Sequence, residues 1–171
     1  PLEILNSKRA AVEISGIRRL RYLTSIADFG CEIRGTYWTI DCMKYFPELA
    51  LNYNPKLTLS LKENQDFYNS AKISLNTKHI QAQNGFSFRT CDIMASNACL
   101  VTEYCSDLRR LFPKIPIPMF TSEIELQECC KKILVDEKLR LEIVEASHEV
   151  IDSSHRFKHV LQKLEEVMGW R

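Results

Sequence analysis

Side chains that could bind an anion lie close to a backbone turn between residues 79 and 92. The dipeptide Asn84-Gly85 is typical of a turn, and a short helix is predicted to begin after it. The first turn of a helix has free backbone N–H groups and the positive end of the helix dipole, which favour an anion such as phosphate. Arg89 lies in that first turn, where it would face a bound anion. The spacing alone leaves open the alternative that Arg89 is only a solvated surface residue.

The segments around this turn indicate a parallel sheet. Residues 72–77 and the continuous apolar run 98–101 are predicted to be strands, the second one buried on both faces. Ligands of open α/β sheets bind beyond the carboxyl ends of such strands. His79 lies in the polar loop that follows the first of these strands, at the same edge. A lone loop histidine is often structural or solvated, so binding is one of two interpretations of His79.

The predicted helix between the two strands has an apolar face of its own. Phe88, Cys91 and Ala95 follow each other at intervals of three to four residues, which predicts that they face the core. Ser96-Asn97 is expected to end the helix, since Asn tolerates the left-handed conformation there.

The rest of the chain alternates between helices and short strands. Residues 2–28 are predicted to be helical, with Gly16 as a break that would make two helices, and Gly30 as the C-cap. Strands are predicted at residues 31–36, 57–61 and 119–120. Three helices are expected in residues 122–171, the last of them beginning at Ser154 with a buried face: Phe157, Val160, Leu161, Leu164 and Val167. Four or five strands among six or seven helices predict a doubly wound α/β fold.

An aromatic-rich segment covers residues 37–57. It contains Tyr37, Trp38, Tyr45, Phe46 and Tyr53 together with two prolines, which predicts a loop-rich segment. These rings could stack on a nucleobase, but covering an edge of the core is the more ordinary role for such a cluster.

Composition excludes several classes of protein. The net charge of the 171 residues is +1, so no broad surface for nucleic acid or membranes is expected, and no apolar run is long enough for a transmembrane segment. Seven cysteines at irregular spacing predict a reduced, cytoplasmic protein. His155 and His159 are four residues apart, but no third ligand accompanies them, so no metal site is predicted. The first residue is Pro1, and we expect the chain to be part of a longer one.

Residues 84–103 resemble the donor-site signature of retaining, two-lobed (GT-B) glycosyltransferases. Its parts here are Asn84-Gly85-Phe86-Ser87, the helix carboxylate Asp92 and the strand 98–101. Residues 68–76 (YNSAKISLN) and 89–92 (RTCD) are similar to blocks of the group-1-like subfamily that resembles spore-maturation proteins. The resemblance covers roughly residues 20–167 and is most specific over 68–103.

The resemblance implies a Rossmann-like, doubly wound parallel sheet with helices on both faces, the C-terminal donor-binding lobe of a GT-B enzyme. Residues 1–171 would form one such lobe, with the helices of 122–171 packed on it, and a missing N-terminal lobe would bind the acceptor. The substrate would be a nucleotide-sugar, and neither a cofactor nor a metal would be needed. The implied donor-site residues are His79, Gly85, Phe86, Ser87, Arg89 and Asp92, with Asp92 on the ribose; Asn84 and Arg89 are the candidate transition-state contacts.

Two features keep other functions open. Asn84 stands where the family has a glutamate, and the family's basic residues near the first strand have no clear counterpart here. A non-catalytic Rossmann-like binding module is therefore the main alternative. A sugar-nucleotide epimerase of the same two-lobed fold is a further one, for which only His79 offers a catalytic histidine.

Overall fold

The computed structural model describes residues 2–35, 44–80, 82 and 84–169, with side chains from residue 10 onward. The chain opens with one long helix, α1 (Leu2–Ser25), followed by a 3-10 turn at Ala27–Phe29. Gly30 ends this turn in the left-handed conformation, with φ of 79°, as predicted. The predicted break at Gly16 is wrong, because α1 continues through it.

The strands of the described residues form two parallel sheets. Strands β1 (Ile33–Arg34) and β2 (Tyr53–Asn54) pair with each other. The larger sheet has the order β3 (Ile73–Asn76), β4 (Cys99–Glu103) and β5 (Met119–Phe120). The expected α/β class with helices around parallel strands is therefore confirmed.

Six α-helices follow β2 in the described part of the chain. They are α2 (Leu61–Asn69), α3 (Phe88–Met94), α4 (Ser106–Leu111), α5 (Glu123–Val135), α6 (Glu137–Val150) and α7 (Phe157–Met168). A 3-10 helix at Pro47–Asn52 precedes β2, and a π-helical turn at Ile151–His155 joins α6 to α7. No helix in the described part of the chain has a stretch long and apolar enough to cross a membrane.

Helices cover the larger sheet with two apolar clusters. One cluster joins α1, β4, β5 and α5 through Tyr22, Val101, Phe120 and Leu126. The other joins α3, α4, α5 and α6 to the strands, and its buried members include Ile93, Leu100, Leu108, Ile133 and Ile143. A smaller cluster of Leu20, Ile33 and Leu49 ties α1 to the two-stranded sheet. Helix α1 therefore contacts both sheets.

Several local predictions are wrong. Residues 57–60 form no strand; Ser60 instead caps α2, its hydroxyl accepting from the Glu63 N–H, and Leu61 is 86% exposed. Phe88 does not face the core, since it is 89% exposed. The apolar residues of α7 are also exposed, and the helix begins at Phe157 rather than at Ser154. Tyr37, Trp38 and Cys42 lie outside the described residues.

Replacing Gly16 with alanine is expected to stabilise the fold. Gly16 is inside α1, and a Cβ there would meet nothing within 4 Å. Alanine should gain about 0.5–1 kcal/mol by restricting the unfolded chain. Gly30→Ala is the matched control, because its φ of 79° strains any L-residue and should reverse the sign. Thermal unfolding of both variants measures this; destabilisation by Gly16→Ala would contradict it.

Two core cysteines are expected to resist alkylation in the native protein. Burial raises the pKa of Cys99 to about 12 and that of Cys130 to about 12, so almost no thiolate exists at pH 8. Iodoacetamide labelling at pH 8, read by mass spectrometry, should modify both only after denaturant is added. Raising the pH toward 10 should increase labelling in the folded state only slightly, and native labelling at pH 8 would contradict the packing.

Candidate functional site

The candidate site lies where β3 and β4 end side by side. The two strands are parallel, with Asn76 opposite Thr102, so the loop after β3 and the segment after β4 leave the same edge of the sheet. All the side chains proposed from the sequence follow β3 and precede β4. This edge of the sheet is therefore the candidate site.

A buried hydrogen-bond network of Asn76, Thr90 and Thr102 attaches α3 to this edge. The Asn76 amide donates to the hydroxyls of Thr90, at 3.3 Å, and Thr102, at 3.1 Å, which joins α3 to both strands. All three side chains are almost completely buried. Because Thr90 faces the sheet, its neighbours Arg89 and Asp92 are turned toward solvent, and both are exposed.

Arg89 and Asp92 both act on the half-buried phenol of Tyr68, from α2. Burial raises the pKa of Tyr68, the nearby Arg89 guanidinium lowers it, the Asp92 carboxylate raises it, and a hydrogen bond with Arg89 lowers it. The three side chains therefore share one surface. Tyr68 belongs to the block that resembles the family, so the sequence does carry a signal for it.

Two arginines of α1 reach the same edge from far away in the sequence. Arg18 pairs with Glu103 at 3.0 Å, and Arg19 Nε donates to the Thr77 hydroxyl at 2.8 Å. The pKa of Arg19 is lowered, first by burial and then by the positive charges of Arg89 and Arg18, while Glu103 opposes the shift. Three guanidinium groups thus lie near two carboxylates, Glu103 and Asp92, and this excess of positive charge favours a bound anion.

The sequence pattern gives Arg18 and Arg19 no role in the site, since it shows them only as charged residues of a long helix. The contacts of Arg18 and Arg19 span about 60 residues of sequence. No local pattern signals such a distance, so sequence reasoning missed them.

The loop at residues 84–87 is attached to the start of α4 rather than open. The Asn84 carbonyl accepts from Cys105 Sγ at 2.7 Å, and its side-chain oxygen accepts from the Ser106 hydroxyl at 3.3 Å. Phe86 is half-buried, with its ring 6.2 Å from that of Phe112, so it packs against the core. Gly85 and Ser87 are exposed at the tip of the loop.

Helix α3 is a weaker anion site than the sequence suggested. It has only seven residues, and the Ser87 side chain makes no capping hydrogen bond. A helix this short has a small dipole, so side-chain charge matters more at this edge. Its end also differs from the prediction, since no non-glycine residue in the described part has positive φ; the Ser96 hydroxyl accepts from the Ala98 N–H instead.

His79 lies in the loop after β3, half-buried between two residues whose backbones are held by other elements. The Lys78 N–H donates to Glu103 and the Ile80 N–H to Ser15, both at 3.0 Å. The structure thus brings Arg89 and Asp92 together with Tyr68 and the α1 arginines, and it fixes the loop of His79 beside them. Phe86 does not join this surface.

The residues described form no group of three or more His, Cys, Asp or Glu side chains that could hold a metal ion. His155 packs its ring against Phe112 at 4.9 Å, and His159 accepts from the Arg156 N–H. Both histidines therefore have local structural contacts.

Comparison with known families gives the site its context. The model of a family described as glycosyl transferase-like matches residues 17–166, which is most of the chain. The chain belongs to this glycosyl transferase-like family. No curated protein and no solved structure matches the chain.

The hydrogen bond between Asn76 and Thr90 in this network gives a prediction for the stability of the fold. Thr90→Val keeps the shape of the side chain but leaves the buried Asn76 amide short of an acceptor, which should cost about 1–3 kcal/mol of unfolding free energy. Thr90→Ser keeps the hydroxyl and serves as the control, with only a lost methyl group. Urea denaturation measures both, and equal stability of Thr90→Val and the wild type would contradict the role of this bond.

Proposed function

We propose that this chain is the donor-binding, C-terminal lobe of a GT-B-type glycosyltransferase that transfers a sugar from a nucleotide-sugar to an acceptor. Membership of the glycosyl transferase-like family supports the class of reaction. The single observation that carries the proposal is the cationic surface at the carboxyl ends of β3 and β4, with one exposed carboxylate beside it. The acceptor would be bound by a second, N-terminal lobe.

The diphosphate of the donor would lie against Arg89 and Arg19. A nucleoside diphosphate leaves with additional negative charge, and fixed cations at the leaving group stabilise that charge as it develops. Burial and, after it, the positive charges of Arg89 and Arg18 lower the pKa of Arg19, and a bound anion would offset both effects. The exposed backbone of Gly85 and Ser87 would let the diphosphate approach the loop closely.

The ribose would be bound by Asp92. An ionised carboxylate accepts hydrogen bonds from hydroxyl groups more strongly than a neutral oxygen does. Asp92 is exposed and lies on the same surface as Arg89 and Tyr68, so one ligand could contact all three. His79 would approach the donor from the neighbouring loop.

Binding of nucleoside diphosphates tests the proposal directly. Titration calorimetry with UDP, GDP and ADP should give measurable affinity for at least one of them. Arg89→Met should weaken it by about tenfold, because it removes a charge-assisted contact. Lys138→Met is the matched control: it also removes one positive charge, from a side chain 88% exposed on α6. An equal effect of both variants, or no binding by the wild type, would contradict the proposal.

The role of Asp92 has its own readout. Asp92→Asn should weaken the ribonucleotide by about tenfold and the 2′-deoxynucleotide much less, since only the former offers the 2′-hydroxyl to the carboxylate. The ratio of the two affinities should therefore approach one in the variant. A ratio unchanged from that of the wild type would place the ribose elsewhere.

A non-catalytic binding module is the second candidate. Asn84 replaces the family's glutamate, and both of its oxygen acceptors are already bonded to Cys105 and Ser106. This arrangement favours a structural role for Asn84 over one in transfer. Turnover of a nucleotide-sugar by the longer protein, compared with binding alone, distinguishes the two candidates.

A further inference from the structure

We propose that Ser15, Arg18 and Arg19 of α1, together with Glu103 of β4, form a loop clamp that positions residues 77–80, and with them His79, for donor binding. This inference rests on the proposed function, because it assigns to the clamp the geometry of the donor site. Ser15, Arg18 and Glu103 are positioning residues in this proposal. Arg19 contributes both its contact with the loop and its charge.

The clamp holds the loop at consecutive points. The Lys78 backbone is held on both sides: its N–H donates to Glu103 Oε2 at 3.0 Å, and its carbonyl accepts from Arg18 Nη2 at 2.7 Å. Before it, the Thr77 hydroxyl accepts from Arg19, and after it the Ile80 N–H donates to Ser15 Oγ. His79 is the residue enclosed by these contacts, and its own carbonyl accepts from Ala82 in a turn.

The charges inside the clamp indicate that it is rigid. Glu103 has a side chain only 9% exposed, and its other oxygen pairs with Arg18 at 3.0 Å. A buried carboxylate must keep its partners, since an unpaired charge in such a place is strongly destabilising. Neither Glu103 nor Arg18 can therefore leave the loop without a large penalty. A polar loop at a sheet edge would otherwise be among the more mobile parts of a fold.

A second ion pair on the same helix provides a matched control. Arg21 pairs with Glu123 at 2.9 Å and joins α1 to α5, but its side chains are 62% and 40% exposed and it does not contact the loop. Glu103→Gln and Glu123→Gln each remove one negative charge that pairs with an arginine of α1. Only the first removes a charge that holds residues 77–80.

A positioning role and a purely electrostatic role of Glu103 predict opposite changes in nucleotide affinity when its charge is removed. Loss of the Glu103 charge makes the surroundings of Arg19 and Arg89 more positive, which by itself would tighten the binding of a nucleoside diphosphate. If the clamp positions the donor site, Glu103→Gln should instead weaken binding by about fivefold or more, because the hydrogen bond to the Lys78 N–H loses its charge and Arg18 loses its carboxylate partner. Glu123→Gln should leave the affinity unchanged.

The experiment combines titration calorimetry with hydrogen exchange, using whichever of UDP, GDP and ADP binds the wild-type chain best. Weaker binding by Glu103→Gln, with faster deuterium uptake in the peptide containing residues 77–80, supports the proposal. Unchanged or tighter binding overturns it, whatever the exchange rate. If the wild type binds none of the three nucleotides, the proposed function fails, and the assignment of the clamp to donor binding is overturned with it.

Ser15→Ala keeps the test decisive if the buried pair proves essential for folding. It removes the acceptor for the Ile80 N–H without changing any charge, so Arg18 and Glu103 stay paired. The expected result is again weaker nucleotide binding, with faster exchange confined to the same peptide. Normal affinity in this variant, with the loop exchanging faster, would overturn the positioning role.

Discussion

The parallel pairing of β3 with β4 is the constraint on which the candidate site depends. Parallel strands require a crossover, here α3, and their carboxyl ends meet at one edge. The loop after β3 and the last residue of β4 are therefore neighbours, although about 25 residues separate Lys78 from Glu103. This register brings the contacts of Asn76 and Glu103 to the same edge. Asn76 connects it to α3, and Glu103 connects it to α1.

The burial of the Glu103 carboxylate then determines which helix contacts this edge of the sheet. Glu103 ends a strand whose five residues are all buried, so its carboxylate needs a cation and hydrogen-bond donors. Arg18 supplies the cation, and the same helical turn brings Arg19 beside Arg89. The helix that supplies Arg18 to the buried Glu103 carboxylate thus also brings the positive charge of Arg19 to the site. The stability of the sheet and the electrostatics of the edge are linked through this single pair.

Local sequence patterns correctly predicted those helices and strands whose formation depends mainly on neighbouring residues in the chain. The apolar run 98–101 predicted β4, and residues 122–171 were expected to be helical. In the structure α5 and α6 begin after Ser122 and Asp136, whose side chains each accept from a backbone N–H. The alternation at residues 57–61 misled because Ser60 and Glu63 form a capping box, which favours a helix start over a strand. Phe88 has helical spacing, but Thr90 and its buried bond to Asn76 fix a different face of α3 inward.

The residues of the candidate site also fall into two groups, those within one stretch of the sequence and those far apart in the chain. Arg89 and Asp92 were identifiable as candidates because they lie within one short, motif-like stretch, and their exposure follows from the inward direction of Thr90. Arg18, Arg19 and Glu103 were not, since their contacts join helix α1 to a loop and a strand far along the chain. The seven residues of α3 give only a small dipole, so the positive charge at this edge comes mainly from side chains. Residues of α1 and α3 that no single stretch of sequence contains thus concentrate this charge at the carboxyl ends of β3 and β4.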